Sequence, residues 1–379
     1  MEVEIVETVD ALPWDALTRF TGSPLDFSRG VLKAVEASLW GDLKVYYLLV
    51  RCDQSHHPLA FSPVYVGTNL NINALLPLGL QRLQCWLVEK MGNAAKIRFG
   101  LAGSIISDRG WIPMAPEVEV AHVVPLFLKA LDTFYKEQKV KIGVIKDIHE
   151  RFPTDAIEML VRDGFVQTYS LPSVTVNTHY SSFEAYLKGL KKNARKHCRK
   201  VLRSAYENFT FRRVDDYRDL VDVLYPLFRA TYLNARYQFE ESLPSFVAQA
   251  AQSINPATEV ILCEKAGQPV GALMNFYEGD QQLNKRIGLD YAQPETPVIY
   301  ASLMYEGIRS AIERGVKCVH LGQSTYVPKL RLGGELEDLF FFVKPYDVVT
   351  RMVLGLEALW LRRYRKERVL QLFEQGVSV

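Results

Sequence analysis

Three strand-like segments follow one another almost without pause late in the chain: EVILCEK (259–265), PVGALMNFYEG (269–279) and QLNKRIGLDYA (282–292). Ala266-Gly267 and Gly279-Asp280 separate them, and glycine supplies the positive φ that tight hairpin turns demand. Strands joined this closely pair as an antiparallel meander, because a parallel crossover needs a dozen or more residues. Apolar periodicity predicts helices over 216–236 and 243–253 ahead of the meander and over 298–314 after it. The strand VKCVHLGQ, a glycine-containing loop and the strand DLFFFVKP come next, then a C-terminal helix with several arginines.

The first half carries its own α/β unit. LKVYYLLVRC (43–52) and PLAFSPVYVG (58–67) read as a hairpin, and 78–91 as a helix. Beyond a loop containing GWIPM, 123–137 reads as a helix, VKIGVIKDI as a strand, 154–163 as a helix and FVQTYSLPSVTV as extended chain. No sequence repeat links the halves and no segment is of low complexity. The domains expected are therefore 1–177, 178–345 and a C-terminal helix at 346–379, an α/β (α+β) chain of mixed, mostly antiparallel sheets flanked by helices.

A chain of 379 residues with 48% hydrophobic content can bury cores for two domains. The acidic start MEVEIVETVD lacks a signal peptide's basic-then-apolar order, and no apolar run approaches the eighteen residues of a spanning helix, so a cytoplasmic location is expected. Five scattered cysteines without a CxxC pair, and no histidines at ligand spacing, imply neither a disulfide framework nor a metal site.

Charge is concentrated in one place. Between Ser181 and Tyr206 stand Lys188, Lys191, Lys192, Arg195, Lys196, Arg199, Lys200 and Arg203 against Glu184 alone, while the whole chain nets only +2. Ser181 with Glu184 reads as a capping box. Phe183, Leu187, Leu190, Ala194, Cys198, Val201 and Ala205 then mark one buried stripe, leaving the cations on the rest of the surface. A helix built this way binds a polyanion or is simply solvated.

Strand alternation puts Asn284, Arg286, Gly288 and Asp290 on one face, with Leu283, Lys285, Ile287, Leu289 and Tyr291 on the other. In VKCVHLGQ, His320 and Gly322 share a face opposite Val319, Leu321 and Gln323.

The order of elements, a strand ending in PSVTV, then SSFEAYLKGLKKNARKHCRK, the meander and LMYEGIRSAIERGVKCVHLGQSTYVPKLRLGG, resembles the FemAB-like branch of the GNAT acyltransferases, including BioF2-like acetyltransferases. The resemblance is strongest over 172–345 and implies two tandem GNAT-like domains, the second catalytic. It implies N-acyl transfer to a primary amine of a small molecule or peptide, from aminoacyl-tRNA or acyl-CoA as co-substrate and without a tightly bound cofactor. Where CoA-dependent members carry a glycine-rich pyrophosphate turn, this chain has DYAQPETPVIY, whose prolines remove amide donors, so tRNA gains weight as the donor.

Carried onto this sequence, the resemblance makes Lys329 of STYVPKLRLGG an exposed loop lysine that meets the oxyanion. Tyr326 becomes the proton donor to the leaving group, with Asp290 and His320 as further catalytic candidates. Lys192, Arg195, Lys196, Arg199 and Arg331 become donor-binding, and Asn284, Arg286, Gln323, Ser324 and Tyr232 substrate-binding. The alternative left open is a non-catalytic RNA-binding or membrane-surface protein that uses the basic helix at 183–206.

Overall fold

The computed structural model describes residues 1–17, 20, 25–39, 41–68, 97–106, 108, 112–235, 243–254, 257–348 and 350–352. The helix expected at 78–91 and most of the C-terminal helix lie outside these residues. The chain divides into two compact units, the first comprising described residues 1–170 and 338–352, the second 171–235 and 243–337. Each has a seven-stranded sheet among the described residues.

Unit 1 contains β1 (Glu2–Val6), α1 (Trp14–Leu17), α2 (Arg29–Glu36), β2 (Lys44–Arg51), β3 (Pro58–Gly67), β4 (Phe99–Ala102), α3 (Val120–Glu137), β5 (Ile142–His149), α4 (Thr154–Arg162) and β6 (Val166–Tyr169). β4 and β5 run parallel, and the other pairings are antiparallel. α3 lays Val123, Val124, Phe127, Leu131, Phe134 and Tyr135 into a core with Leu48, Val64, Ile145 and Phe342. The predicted 123–137 helix thus begins a turn earlier, tolerating Pro125 close to its start, where few backbone bonds are lost.

Unit 2 contains β7 (Ser173–Asn177), α5 (Phe183–Gly189), α6 (Lys192–Asn208), β8 (Thr210–Val214), α7 (Val221–Asn234), α8 (Pro244–Ser253), β9 (Thr258–Lys265), β10 (Gln268–Glu278), β11 (Gln281–Leu289), α9 (Thr296–Glu313), β12 (Cys318–His320), α10 (Tyr326–Arg331) and β13 (Glu335–Glu337). The meander β9–β10–β11 is antiparallel as predicted. Ile299, Leu303, Ile308 and Ala311 of α9 pack between Ile261, Leu273, Leu289 and Val319 of the sheet and Cys198, Val201 and Ala205 of α6.

Two boundaries differ from expectation. FVQTYSLPSVTV is one extended stretch but serves two sheets, since the chain leaves β6 at Ser170, passes Leu171-Pro172 and enters the second sheet as β7. Pro172 cannot donate to a ladder, and the switch falls there. DLFFFVKP, expected in the second domain, becomes β14 (Leu339–Pro345) between β5 and β6 of the first sheet. There Lys344 is held by Asp132 at 2.6 Å and Asp163 at 2.7 Å.

The basic segment is two helices rather than one. Ser182, not Ser181, caps α5, with its hydroxyl accepting from Ala185 N at 3.1 Å, which leaves Glu184 free to pair with Arg199 at 3.1 Å. Leu190 and Lys191 then adopt extended backbone angles (ψ 150° and 145°), turning Leu190 into the core and starting α6 afresh. The predicted stripe holds: Phe183, Leu187, Leu190, Cys198, Val201 and Ala205 are buried. No helix among the described residues is long and apolar enough to cross a membrane.

Candidate functional site

β11 and β12 are parallel but stay together only from Gln281–Leu283 against Cys318–His320. β12 follows β7 instead, and Leu321 N continues that ladder by donating to Val174 O at 2.8 Å. On β11 the register slips between Met274 opposite Arg286 and Asn275 opposite Asn284, leaving Lys285 as the extra residue of a bulge. The strands part at their carboxyl ends, the position where open α/β sheets form binding crevices.

The bulge also reverses the side-chain alternation. Asn284 Nδ2 lies 3.8 Å from Met304 Sδ of α9, whereas a side chain at Gly288 would strike Leu227 and Phe228 of α7. The predicted polar face is therefore split. Arg286, two residues before Gly288, turns with it toward α7, where half-buried Tyr232 also belongs, and burial opposes the Arg286 charge. Asp290 lies beyond the strand and organises the next turn, accepting from Ala292 N at 3.0 Å and Gln293 Nε2 at 2.8 Å.

The chain leaves β12 through a left-handed turn, with φ of 72° at Gly322, 63° at Ser324 and 50° at Thr325. Two non-glycine residues in that region cost backbone energy that the surroundings must offset. Lys329 supplies part of the offset: it is only 5% exposed, and its Nζ donates to Gly322 O at 3.0 Å and Gln323 O at 2.8 Å. Gln323 Nε2 donates to Leu171 O at 2.8 Å and the Tyr326 hydroxyl to Pro172 O at 2.9 Å, tying the turn to the start of β7.

These contacts correct the expectation for STYVPKLRLGG. Lys329 is a buried helical residue clamping the carbonyls of half-buried Gly322 and Gln323, which a desolvated ammonium needs as acceptors. Tyr326 opens α10 and spends its proton on a backbone oxygen. Gly334 is required by crowding, since a Cβ there would sit 2.7 Å from Lys329 O. His320 is buried at the paired end of β11 and β12, its Nε2 2.9 Å from Gln281 Oε1.

At the start of α9, where a nucleotide pyrophosphate would need amide donors, the sequence places Glu295 and Pro297 next to Asp290. Glu295 is paired with Lys265 at 3.1 Å, a hydrogen bond that holds its carboxyl below the usual range. Two carboxylates there oppose a bound phosphate.

The opposite charge gathers at the start of α6. An open groove of about 730 Å³ is lined by Lys191, Lys192, Asn193 and Ala194 on one side and Val327, Leu330 and Arg331 of α10 on the other. No side chain caps α6, so its first amides add to the positive end of the helix dipole. Of the predicted donor-binding residues, the groove brings together Lys192 and Arg331. Arg195 donates instead to Lys188 O at 3.0 Å, at the end of α5, Arg199 is paired with Glu184, and exposed Lys196 lies outside the lining.

Sequence reading passed over His197, one residue from the buried stripe in the middle of the cationic run. With Tyr300, Met304 and Tyr305 of α9 and Pro328 and Arg331 of α10 it lines a cavity of about 20 Å³, room for one water. Burial and then the charges of Arg331 and Lys200 push its pKa down. A histidine inside a basic helix but adjoining its apolar stripe was the available signal.

The solved structure of FemX superposes with a TM-score of 0.61 at 12% identity, covering 93% of this chain and 99% of that one. The C-terminal domain of a "Putative Lysylphosphatidylglycerol Synthetase" from Agrobacterium fabrum gives 0.52 at 11% identity, covering 91% and 96%. At such identities the likeness is one of fold. In sequence, 346 residues align at 22% identity with a "Putative 8-amino-7-oxononanoate synthase 2" of Mycobacterium tuberculosis, taking 88% of this chain but 44% of that protein. The chain thus spans less than half the length of the curated relatives it matches. With residues 106–327, more than half of the chain, matching the family model described as peptidoglycan biosynthesis/recognition, the protein belongs to the FemAB-like family.

Proposed function

We propose that the protein is an N-acyltransferase that moves an aminoacyl group from aminoacyl-tRNA to a primary amine of a small molecule or peptide. The donor is a co-substrate, and the chemistry calls for no tightly bound cofactor or metal. The observation carrying this reading is the cationic groove at the start of α6, with Lys191, Lys192 and Arg331 on its rim and the apolar Val327 and Leu330 on its wall. Cations suit a phosphate backbone and apolar side chains suit a base or ribose face. The carboxylates of Asp290 and Glu295 beside the α9 start argue against a pyrophosphate in the position CoA-dependent relatives use.

In this reading the acyl carbon lies where β11 and β12 part. The amine attacks it, a tetrahedral oxyanion forms and the ribose oxygen leaves. Lys329 holds the turn that forms one wall of that opening and does not itself face the oxyanion.

The test is binding of unacylated bulk tRNA and of CoA to the full chain, with wild type compared to a Lys192→Gln/Arg331→Gln variant. Wild type is expected to bind tRNA with a log–log salt slope of about −0.7 per phosphate neutralised, and the variant with a slope shallower by about 1.4. Saturable CoA binding without tRNA binding would replace the donor.

A further inference from the structure

The geometry points to His197 as the group that takes the proton from the acceptor amine, through the single water its cavity can hold. This assignment rests on the acyl-transfer reading and names a residue for it. One wall of the cavity is Met304, whose Sδ lies 3.8 Å from Asn284 Nδ2, next to the bulge at which β11 and β12 part. Another wall is Arg331, which also lines the cationic groove. His197 therefore shares Arg331 with the groove for the donor's phosphates and Met304 with the β11 end of the opening for its acyl carbon.

Several other titratable groups near that opening are engaged elsewhere: Lys329 with the Gly322 and Gln323 carbonyls, Tyr326 with Pro172 O, Asp290 with Ala292 N and Gln293 Nε2, and His320 with Gln281 Oε1. The groups facing His197 are Lys200 on its own helix, Tyr300 and Tyr305 from α9 and Arg331 from α10. Both cations disfavour the imidazolium. Burial pushes both phenols up, so they remain neutral and do not compete as bases. A base that is unprotonated near neutral pH is what an amine nucleophile needs, since alkyl amines titrate near 10.

The step balances. As the amine nitrogen bonds to the acyl carbon, its N–H proton passes to the water and a water proton passes to His197. The C–O bond to the donor ribose then breaks, and the imidazolium returns its proton through the water to the departing oxygen.

The experiment uses the full chain, bulk tRNA charged with radiolabelled amino acids or acetyl-CoA as donor, and short peptides with free amino groups as acceptors. His197→Gln is expected to lower turnover at least about a hundredfold, to leave tRNA affinity within twofold, and to abolish the acid limb of kcat/KM. The wild-type limb should rise with pH through the His197 midpoint, which NMR of labelled imidazole should place below 6.5. Arg331→Gln removes a facing cation and should move that midpoint and the limb upward, a response that a merely structural histidine would not give. If His197→Gln does not fold, His197→Asn and the Arg331→Gln shift carry the test. Turnover within threefold of wild type, an unchanged acid limb or a midpoint above 7 overturns the role of His197 while the acyl-transfer reading stands. A wild-type chain that neither binds nor uses either donor overturns both.

Discussion

The two sheets have one strand order. Unit 1 runs β1-β2-β3-β4-β5-β14-β6 and unit 2 runs β8-β9-β10-β11-β12-β7-β13. In both, the fourth and fifth strands form the parallel pair, joined by an 18-residue helix, α3 or α9. In both, the sixth strand comes from the other half of the chain: β7 follows β6 but joins the second sheet, and β14 follows β13 but joins the first. The difference lies in what surrounds the parallel pair. In unit 1 the strand end carries Lys146 and Asp147, which are buried and in contact with each other, with Asp147 Oδ1 accepting from Ser170 at 2.8 Å. In unit 2 the matching end opens at a bulge, with α6 and its groove nearby. A shared sheet order is scaffold, and the chemistry follows the additions to it.

The strand exchange offers the largest effect. Phe342 on β14 is fully buried among unit 1 residues, so Phe342→Ala should cost about 3–5 kcal/mol there. Two units need not unfold together, so hydrogen exchange is the better measure than a single melting curve. Amides of β5 and β6 should lose protection while those of β9–β11 keep theirs. Loss confined to unit 2 would contradict the assignment of β14.

Next in size is Lys329→Met. It leaves two carbonyls of a half-buried left-handed turn without their ammonium, each worth about 1 kcal/mol or more. The melting transition of unit 2 should fall by several degrees, with turnover falling alongside it. Lys329→Arg should not restore either, because a planar guanidinium does not fit a site shaped for a compact ammonium. An unchanged transition would return Lys329 to the exposed loop position that STYVPKLRLGG suggested.

That contrast shows what was legible in the sequence. The meander, the two hairpin strands of unit 1, both 18-residue helices to within a turn and the buried stripe of α5–α6 all follow from periodicity and turn residues, which are local. Strand exchange is not local: FVQTYSLPSVTV carries the same apolar pattern whichever sheet it enters, so only long-range pairing assigns β6 and β7. The common strand order was equally hidden, since a sheet needs apolar residues facing inward rather than any one sequence. In the candidate site, a single extra residue at Lys285 undid the alternation that grouped Asn284 with Gly288. The fate of Lys329 turned on carbonyls made available by positive φ at Ser324 and Thr325, residues whose type does not announce it.

The smallest effect separates cations inside the groove from those outside it. Arg199 is over half exposed and paired with an equally exposed Glu184, so Arg199→Gln should change stability by under about 0.5 kcal/mol. The same substitution removes a full charge from the helix carrying the groove, so a diffuse basic face and a defined groove predict different outcomes for tRNA. If affinity came from the summed field of the helix, Arg199→Gln and Lys192→Gln would weaken binding alike. If phosphates contact the groove, Lys192→Gln should reduce the salt slope by about 0.7, the share of one contact, while Arg199→Gln leaves it unchanged. Measuring both slopes over the same salt range decides the matter, because a distant charge is screened within roughly 8–10 Å whereas a contact releases its counterion at any position along the gradient. Equal slopes for the two variants would reduce α6 to a solvated basic face and leave unit 2 without its donor site.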